Sequence, residues 1–556
     1  MYTYRTPRRL DRTLAVGVAA LASVVALFGI GPTTSASAKP VVKTRPSASK
    51  PATTTTQIRA LTVSSTSEVP STTLAALGRI VVGTPGELAG LDPVAASREI
   101  TFDAVPNAIY EQLMDLPFGK APRPALATSL TEAPDRLSWT VKVRSGVRFH
   151  DGTDLTAEAV KVNLERQRKS RVFGTSMALI RNIEVSGPLT VKLTLDSPYA
   201  SMPYLLGGTA GIMISPKAIS EKADKLNREP TNAGTGPYVL TEWVPGDHTT
   251  VSRNPNYWGN PKPRLEQITF RFIPDEGTRY AALQSGDVQS ILAILPGTPG
   301  RARKDGFAVI VSPPTGSSAI PLNNAKPPFD DVRMRRAAAL AIDSRTLATL
   351  VEDQNFDNQA FGLWPRNNPW YWAGGHDWTY DRAEARKLVA SYVASTGREP
   401  AITFSVLNSG ATVVDAARLL TRFWQEAGFD VKLQIVSDPN TFGLAVATGQ
   451  YQAALGGVSL YQDPDATAYP VLRSTSPGNV SRYRSVEMDA ALENGRNAAD
   501  VEGRRAAYNE VQRLFRRDVP FLVGTAGSLS LISNETLCGL DVSGGFSART
   551  VGLGNC

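Results

Sequence analysis

Between Ile402 and Ile435 the chain spells out a strand, a helix and a second strand, and that order narrows the folds open to it. Ile402–Leu407 reads as a strand. Residues 412–427 read as a helix, with Val413, Ala417, Leu420 and Trp424 on one face and Gly428 as its stop. Val431, Leu433 and Ile435 then alternate with Lys432 and Gln434 as a second strand. A unit of this length is a crossover connection, so its two strands should be parallel and the fold class α/β. A chain of 556 residues is too long for one core, so at least two domains are expected. Hydrophobic residues at 42% and charged residues at 20% fit ordinary globular domains.

The formal net charge of +8 sits in the N-terminal part of the chain. Arg5, Arg8, Arg9, Arg12, Lys39, Lys43, Arg45, Lys50, Arg59 and Arg79 face only Asp11 and Glu68 there, and the remainder is balanced. No electrostatic footprint of a nucleic-acid binder is left. The arginines precede an uncharged run from Leu14 to Ile30, and Ala36-Ser37-Ala38 forms a small-x-small site. Residues 1–38 therefore read as an export signal. An uncleaved anchor is the other reading, because signal cores and short anchors overlap in length. The Arg8-Arg9 pair leaves both the general and the twin-arginine routes open. Either way the folded part lies outside the cytoplasm. Residues 39–78, rich in Ser, Thr, Pro, Ala and Val with the run Thr53–Thr56, read as a flexible tether. Cys538 and Cys556 are the two cysteines. In an oxidising compartment they are expected to pair, closing a loop worth roughly 3 kcal/mol on a chain-entropy model, against the alternative of two free thiols. With His150, His248 and His376 scattered, the sequence offers no metal site and implies no cofactor.

Three blocks carry a family resemblance. The first runs from Asn232-Ala-Gly-Thr-Gly-Pro-Tyr238 through Arg253-Asn-Pro-Asn-Tyr-Trp258 to Ala281-Ala-Leu-Gln-Ser-Gly-Asp287. The second is the strand Ser138–Arg144 followed by Phe149-His-Asp-Gly-Thr153 and Leu155-Thr-Ala-Glu-Ala-Val160. There Asp151-Gly152 favours a tight reversal, and Thr156 can cap a helix with Glu158 in its first turn. The third is Ile320–Asp331, followed by a helix from Val332 to Ile342 whose Arg333, Arg335 and Arg336 read as a solvated face. The chain resembles the extracytoplasmic solute-binding proteins of ABC importers, in the family that binds peptides and nickel complexes. The resemblance extends to a strand at Ile80–Gly83, a Leu91-Asp92-Pro93 turn, a helix at Ala108–Leu113 and a returning strand at Val519–Val523.

That resemblance implies a two-lobed periplasmic-binding-protein-like fold of type II with an extra subdomain. The expected division is 79–110, 206–318 and 527–556 for the first lobe, 111–205 for the extra subdomain and 319–526 for the second lobe. Two crossings, near 316–322 and 520–527, would make a hinge that closes around a ligand. The implied function is capture of a peptide or peptide-like solute, delivered to an ABC permease by a monomeric, periplasmic, surface or secreted protein. Many relatives are lipoproteins held by a cysteine after the leader, and no cysteine stands there in this chain. In the oligopeptide-binding members a strand and turn of the second lobe pair with the ligand as an added strand. The matching residues are Gly456-Gly457-Val458-Ser459 with Tyr461 and Asp463, opposite Glu87, Leu88 and Ala89 of the first lobe; Asn323 joins this expected set. Those members carry an aspartate for the peptide's α-ammonium where this chain has Leu460. An ammonium buried without a carboxylate partner is costly, so a blocked peptide, a sugar or another mixed solute is favoured unless Asp463 or Glu87 substitutes.

Trp364, Trp370, Tyr371, Trp372 and Trp378 crowd a proline- and glycine-bearing loop. Such faces suit a ligand cleft or pack the loop onto its own lobe; Trp364 and Trp372 are the two expected in the cleft. No nucleotide loop, nucleophile elbow or zinc-protease motif is present, and His150 reads as a turn residue with a structural hydrogen bond, so no catalytic residue is assigned. Two other functions remain: a secreted or tethered scavenger or adhesin with the same fold and no permease, and a hydrolase acting on the bound solute.

Overall fold

The computed structural model describes residues 77–534, except 88–89, 96–103, 118–119, 171–173, 175, 296, 313–315, 351–361, 367, 375–378, 409–410 and 460–462, together with 537–538 and 554–555. Strand β1 (Leu77–Thr84) is the first described element. Helix α1 (Ala104–Ile109) follows, earlier than the helix expected at 108–113. Tertiary partners end it. Gln112 bridges to Ile212, and Leu113 donates to the Gly211 carbonyl at 3.0 Å. The Glu111 carboxylate accepts from Thr235, Tyr257 and Trp258 at 2.9, 2.9 and 2.7 Å.

A four-stranded antiparallel sheet comes next, from β2 (Ala127–Glu132), β3 (Ser138–Val143), β4 (Ile180–Gly187) and β5 (Thr190–Leu195), in the order β2-β3-β5-β4. Helix α2 (Ala157–Arg168) covers it, capped as expected by Thr156, which accepts from the Ala159 N–H at 3.2 Å. Its buried face (Val160, Leu164) joins Trp139, Val141, Ile183 and Leu193 in one core.

The chain then returns to β1. Strands β6 (Tyr238–Val244), β7 (His248–Arg253) and β8 (Leu265–Phe272), helix α3 (Glu276–Ser285), and strands β9 (Ser290–Ala293) and β10 (Ala308–Val311) build the first lobe. β1 runs parallel to both β8 and β9. The motif at 232–258 is a packing device. A Cβ on Gly234 would stand 1.8 Å from the Ile109 carbonyl oxygen, and one on Gly236 would stand 2.6 Å from that of Ala108. Only glycine lets this segment lie against the end of α1. Asn254 then ties the second half to the first, donating to the Gly236 carbonyl at 3.0 Å.

The second lobe comprises β11 (Gly316–Pro321), helix α4 (Val332–Leu340), β12 (Ala401–Leu407), α5 (Ala411–Glu426), β13 (Asp430–Val436), β14 (Ala453–Ser459), and helices α6 (Pro464–Leu472), α7 (Val486–Asn497) and α8 (Val501–Asp518), then β15 (Phe521–Gly527). Its sheet order is β13-β12-β14-β11-β15, and β12 and β13 are parallel, as the crossover argument requires. β16 (Ser530–Ser533) completes the first lobe's sheet, ordered β10-β16-β9-β1-β8-β7-β6. Two of the three arginines of α4, Arg335 and Arg336, are not on a solvated face. Arg335 is buried and donates to the Asp518 and Phe329 carbonyls at 2.7 and 2.8 Å, and Arg336 donates to the Arg517 carbonyl at 2.7 Å. They satisfy carbonyls at the C-terminus of α8, where cations are favoured. Periodicity within α4 could not reveal a partner lying far along the chain. Among the described residues no helix is long and apolar enough to cross a membrane.

Candidate functional site

The lobes are joined where two connections run side by side. The chain leaves the first sheet at Val311 and enters the second at Gly316; it leaves the second at Gly527 and re-enters the first at Ser530. Gly316 pairs with Gly527, and Val311 pairs with Ser530. Between them the Ser312 N–H donates to the Leu529 carbonyl at 2.8 Å, and the Leu529 N–H to Ser312 Oγ at 2.9 Å. The expected crossing segments 316–322 and 520–527 are thus strands of the second lobe, and the joint lies just outside them.

At the hinge side of the first lobe stands the carboxyl end of the parallel strands β1, β8 and β9, the place where open α/β sheets take ligands. Glu87 lies there. Its carboxylate accepts from Trp243 Nε1 at 2.6 Å, the Gly246 N–H at 2.8 Å and Arg228 at 3.2 Å, which fixes the end of β1 to the β6–β7 turn. Leu88 and Ala89 lie outside the described residues.

The carboxyl end of β14 stands at the hinge end of the second lobe, where Ser459 pairs with Gly316. Residues Gly456–Ser459 pair on one edge with Gly316–Ala319 of β11. On the other edge β12 pairs only with Ala453–Leu455. The main chain of Gly457, Val458 and Ser459 therefore runs past the end of β12, and no described strand covers that edge. Tyr461 lies outside the described residues.

Three residues expected at the solute are enclosed instead. Asp463 is 2% exposed; it caps α6, accepting from the Asp465 and Ala466 N–H groups at 2.9 and 3.2 Å, and pairs with Arg504 at 2.8 Å. A carboxylate at a helix start, beside a guanidinium, is already satisfied. Asn323 is buried, with its amide donating to the Gly449 and Tyr451 carbonyls at 3.0 and 2.9 Å. Trp364 is completely buried and meets Tyr508 edge-on at 6.1 Å, so of the two roles open to this loop's aromatics it takes the packing role. Trp372 is half-buried, and its N–H donates to Gln512 Oε1 at 3.1 Å.

The structure adds a contact that sequence gave no means to find. Ser201 Oγ, from the segment after the four-stranded sheet, donates to Asp463 at 3.1 Å and lies 2.6 Å from Arg504. The Arg504 guanidinium stands 5.8, 5.5 and 5.6 Å from the rings of Tyr204, Trp370 and Tyr508. Burial works against its charge most strongly of any single influence, but Asp463, Tyr508 and Asp465 together outweigh it and raise its pKa. Nearby, Arg136 donates to the Asn497 and Ala498 carbonyls, both at 2.7 Å, and the Ala200 N–H donates to the Arg496 carbonyl at 3.1 Å. The four-stranded subdomain is thus bonded to the second lobe. It is also bonded to the first through Arg166–Asp92 at 2.5 Å and the His150 N–H to the Gly234 carbonyl at 2.7 Å. His150 Nε2 donates to the Gly236 carbonyl at 3.0 Å, the structural bond expected of it. Among the described residues no group of three His, Cys, Asp or Glu could hold a metal.

The family model for bacterial extracellular solute-binding proteins, family 5, matches residues 121–479. The glutathione-binding protein GsiB of Salmonella typhimurium is 28% identical over 477 residues, covering 83% of this chain and 91% of that protein. NikA from Brucella suis, solved with Fe(III)-EDTA, superposes with a TM-score of 0.76 at 23% identity over 86% of this chain and all of NikA (100%). DppA from Helicobacter pylori, solved with the peptide STSA, superposes with a TM-score of 0.74 at 22% identity over 86% of this chain and 98% of DppA. These structures share the two-lobed fold, and the family match spans most of the ordered chain: the protein belongs to the bacterial extracellular solute-binding proteins of family 5.

Proposed function

We propose that this protein captures a peptide or peptide-like solute between its lobes and delivers it to the permease of an ABC importer, without chemical change to the solute. The uncovered main-chain edge of Gly457–Ser459, at the hinge end of the second lobe, carries this reading. An extended solute can add to that edge as a strand, which gives affinity without reading side chains. A glutathione-binding relative and a peptide-bound structural neighbour point the same way. Glu87 and Asp463 are both committed to partners within the protein, and position 460 is leucine. No carboxylate of the expected set is free for an α-ammonium, which favours a solute whose amino end is blocked or bonded otherwise.

Native mass spectrometry of freshly purified protein tests the reading. Release and fragmentation should give a peptide-like molecule, returned intact after prolonged incubation with the protein. A retained sugar, or cleaved ligand, would overturn it. The proposed organisation is a leader at 1–38, a tether at 39–78, a first lobe from 79–110, 206–318 and 527–556, a subdomain at 111–205 and a second lobe at 319–526. A Cys538–Cys556 disulfide belongs to the same proposal. Cys556 lies outside the described residues, while the antiparallel pairing of Leu537 with Asn555 and Cys538 with Gly554 supports the link. Thiol titration after denaturation should find no free cysteine.

A further inference from the structure

Large apolar side chains exposed on the described surface are scattered, except at one place. Ile294, Leu295 and Val311 are 45%, 46% and 40% exposed and gather at the hinge end of the first lobe. Ala293 and Val311 both pair with Ser530, where the chain re-enters the first sheet, and Ile294 and Leu295 follow directly after Ala293. Gly83 of β1 pairs with Ile291 of β9, and both strands end at the same side of the sheet, β1 shortly before Glu87 and β9 shortly before Leu295. Ile294 and Leu295 therefore stand at the carboxyl end of the first sheet, the end from which Val311 leads into the hinge.

Their turn is held rigidly. The Glu276 carboxylate accepts the Ile294 N–H at 2.8 Å and the Leu295 N–H at 3.2 Å. Glu276 is itself buried and paired at 3.1 Å with the fully buried Arg279, which also donates to the Leu292 carbonyl at 2.8 Å. A buried, fully bonded ion pair beneath two successive N–H groups fixes the direction in which the next side chains project. Rigid apolar faces left open at a cleft are the usual lining of a ligand site. A charged group set against them would lose hydration and gain no partner.

We infer that Ile294 and Leu295 form the specificity wall of the cleft and take an apolar side chain of the captured solute. This rests on the reading of the protein as a binder of peptide-like solutes and adds the chemical class of one side chain. Main-chain pairing along Gly457–Ser459 would hold any extended solute, while this wall would sort solutes by the group they place at the hinge.

Titration calorimetry on protein freed of solute by unfolding and refolding tests the inference. The probes are N-acetyl-trialanine and its single-leucine and single-aspartate derivatives at each of the three positions. At one position leucine should bind roughly tenfold tighter than alanine, and aspartate weaker still. In Ile294→Ser and Leu295→Ser that preference should shrink to within about threefold, with the melting temperature kept. Equal binding of all probes by the natural protein, or an equal loss for every probe in both variants, would overturn the inference. Failure of every probe to bind, with a sugar or metal chelate binding instead, would remove the underlying reading as well and is a distinct result.

Discussion

His150 shows how a motif residue earns its place without chemistry. Burial pushes its pKa down from 6.5 to about 4, and the Gly236 carbonyl and Asp151 recover only part of the shift. The folded value lies below the unfolded one. The neutral ring's contribution is therefore complete above 6.5 and is lost as pH falls toward and through 4. Urea denaturation between pH 7 and 4 should show His150→Gln losing less stability than the natural protein, by at most about 3 kcal/mol. Parallel curves for the two proteins would show that the imidazole does not titrate in this way. Residue types in local turns were legible: Thr156 caps α2, and Gly152 takes the left-handed conformation at a φ of 84°. Long-range partners were not. Asp463 looked like a free carboxylate because Ser201 is 262 positions away along the chain.

At the scale of elements, the sequence yielded what periodicity encodes. The β12–α5–β13 crossover and the alternation in β3 both appear at the expected places. The resemblance misplaced α1 and the charge pattern misread α4, since each is governed by partners outside its own segment. The contrast within α4 is measurable. Arg335→Leu leaves two carbonyls without their donor and should cost about 2–3 kcal/mol in urea denaturation. Arg333→Ala removes an exposed pair with Asp331 and should cost less than about 1 kcal/mol. Gly234→Ala should be more damaging still, at about 3 kcal/mol or more, because backbone must move to admit a Cβ. Near-equal losses for Arg333→Ala and Arg335→Leu would contradict the assignment of Arg335 to the end of α8.

At the scale of the molecule, two lobes, a hinge of paired connections and a subdomain bonded to both make one mechanical unit. A solute that contacts both lobes only when they are closed shifts the population toward the closed form. Arg136 spans the subdomain and the second lobe with two bonds, so its loss should weaken whichever conformation contains them. Arg136→Ala should raise the solute's dissociation rate roughly tenfold, with no direct contact to the cleft. An unchanged rate would show that this contact persists through opening. The general architecture was legible because motifs spaced along the chain report a shared fold. Which aromatic side chains reach the cleft was not, because loop composition marks Trp364 and Trp372 alike.

Amide hydrogen exchange, with and without the solute recovered from the protein, tests the two-walled capture most directly. Protection should rise together at Gly457–Ser459 and at the end of β1 near Glu87, segments on opposite lobes. Protection confined to one lobe, or absent from the β14 edge, would contradict capture between them.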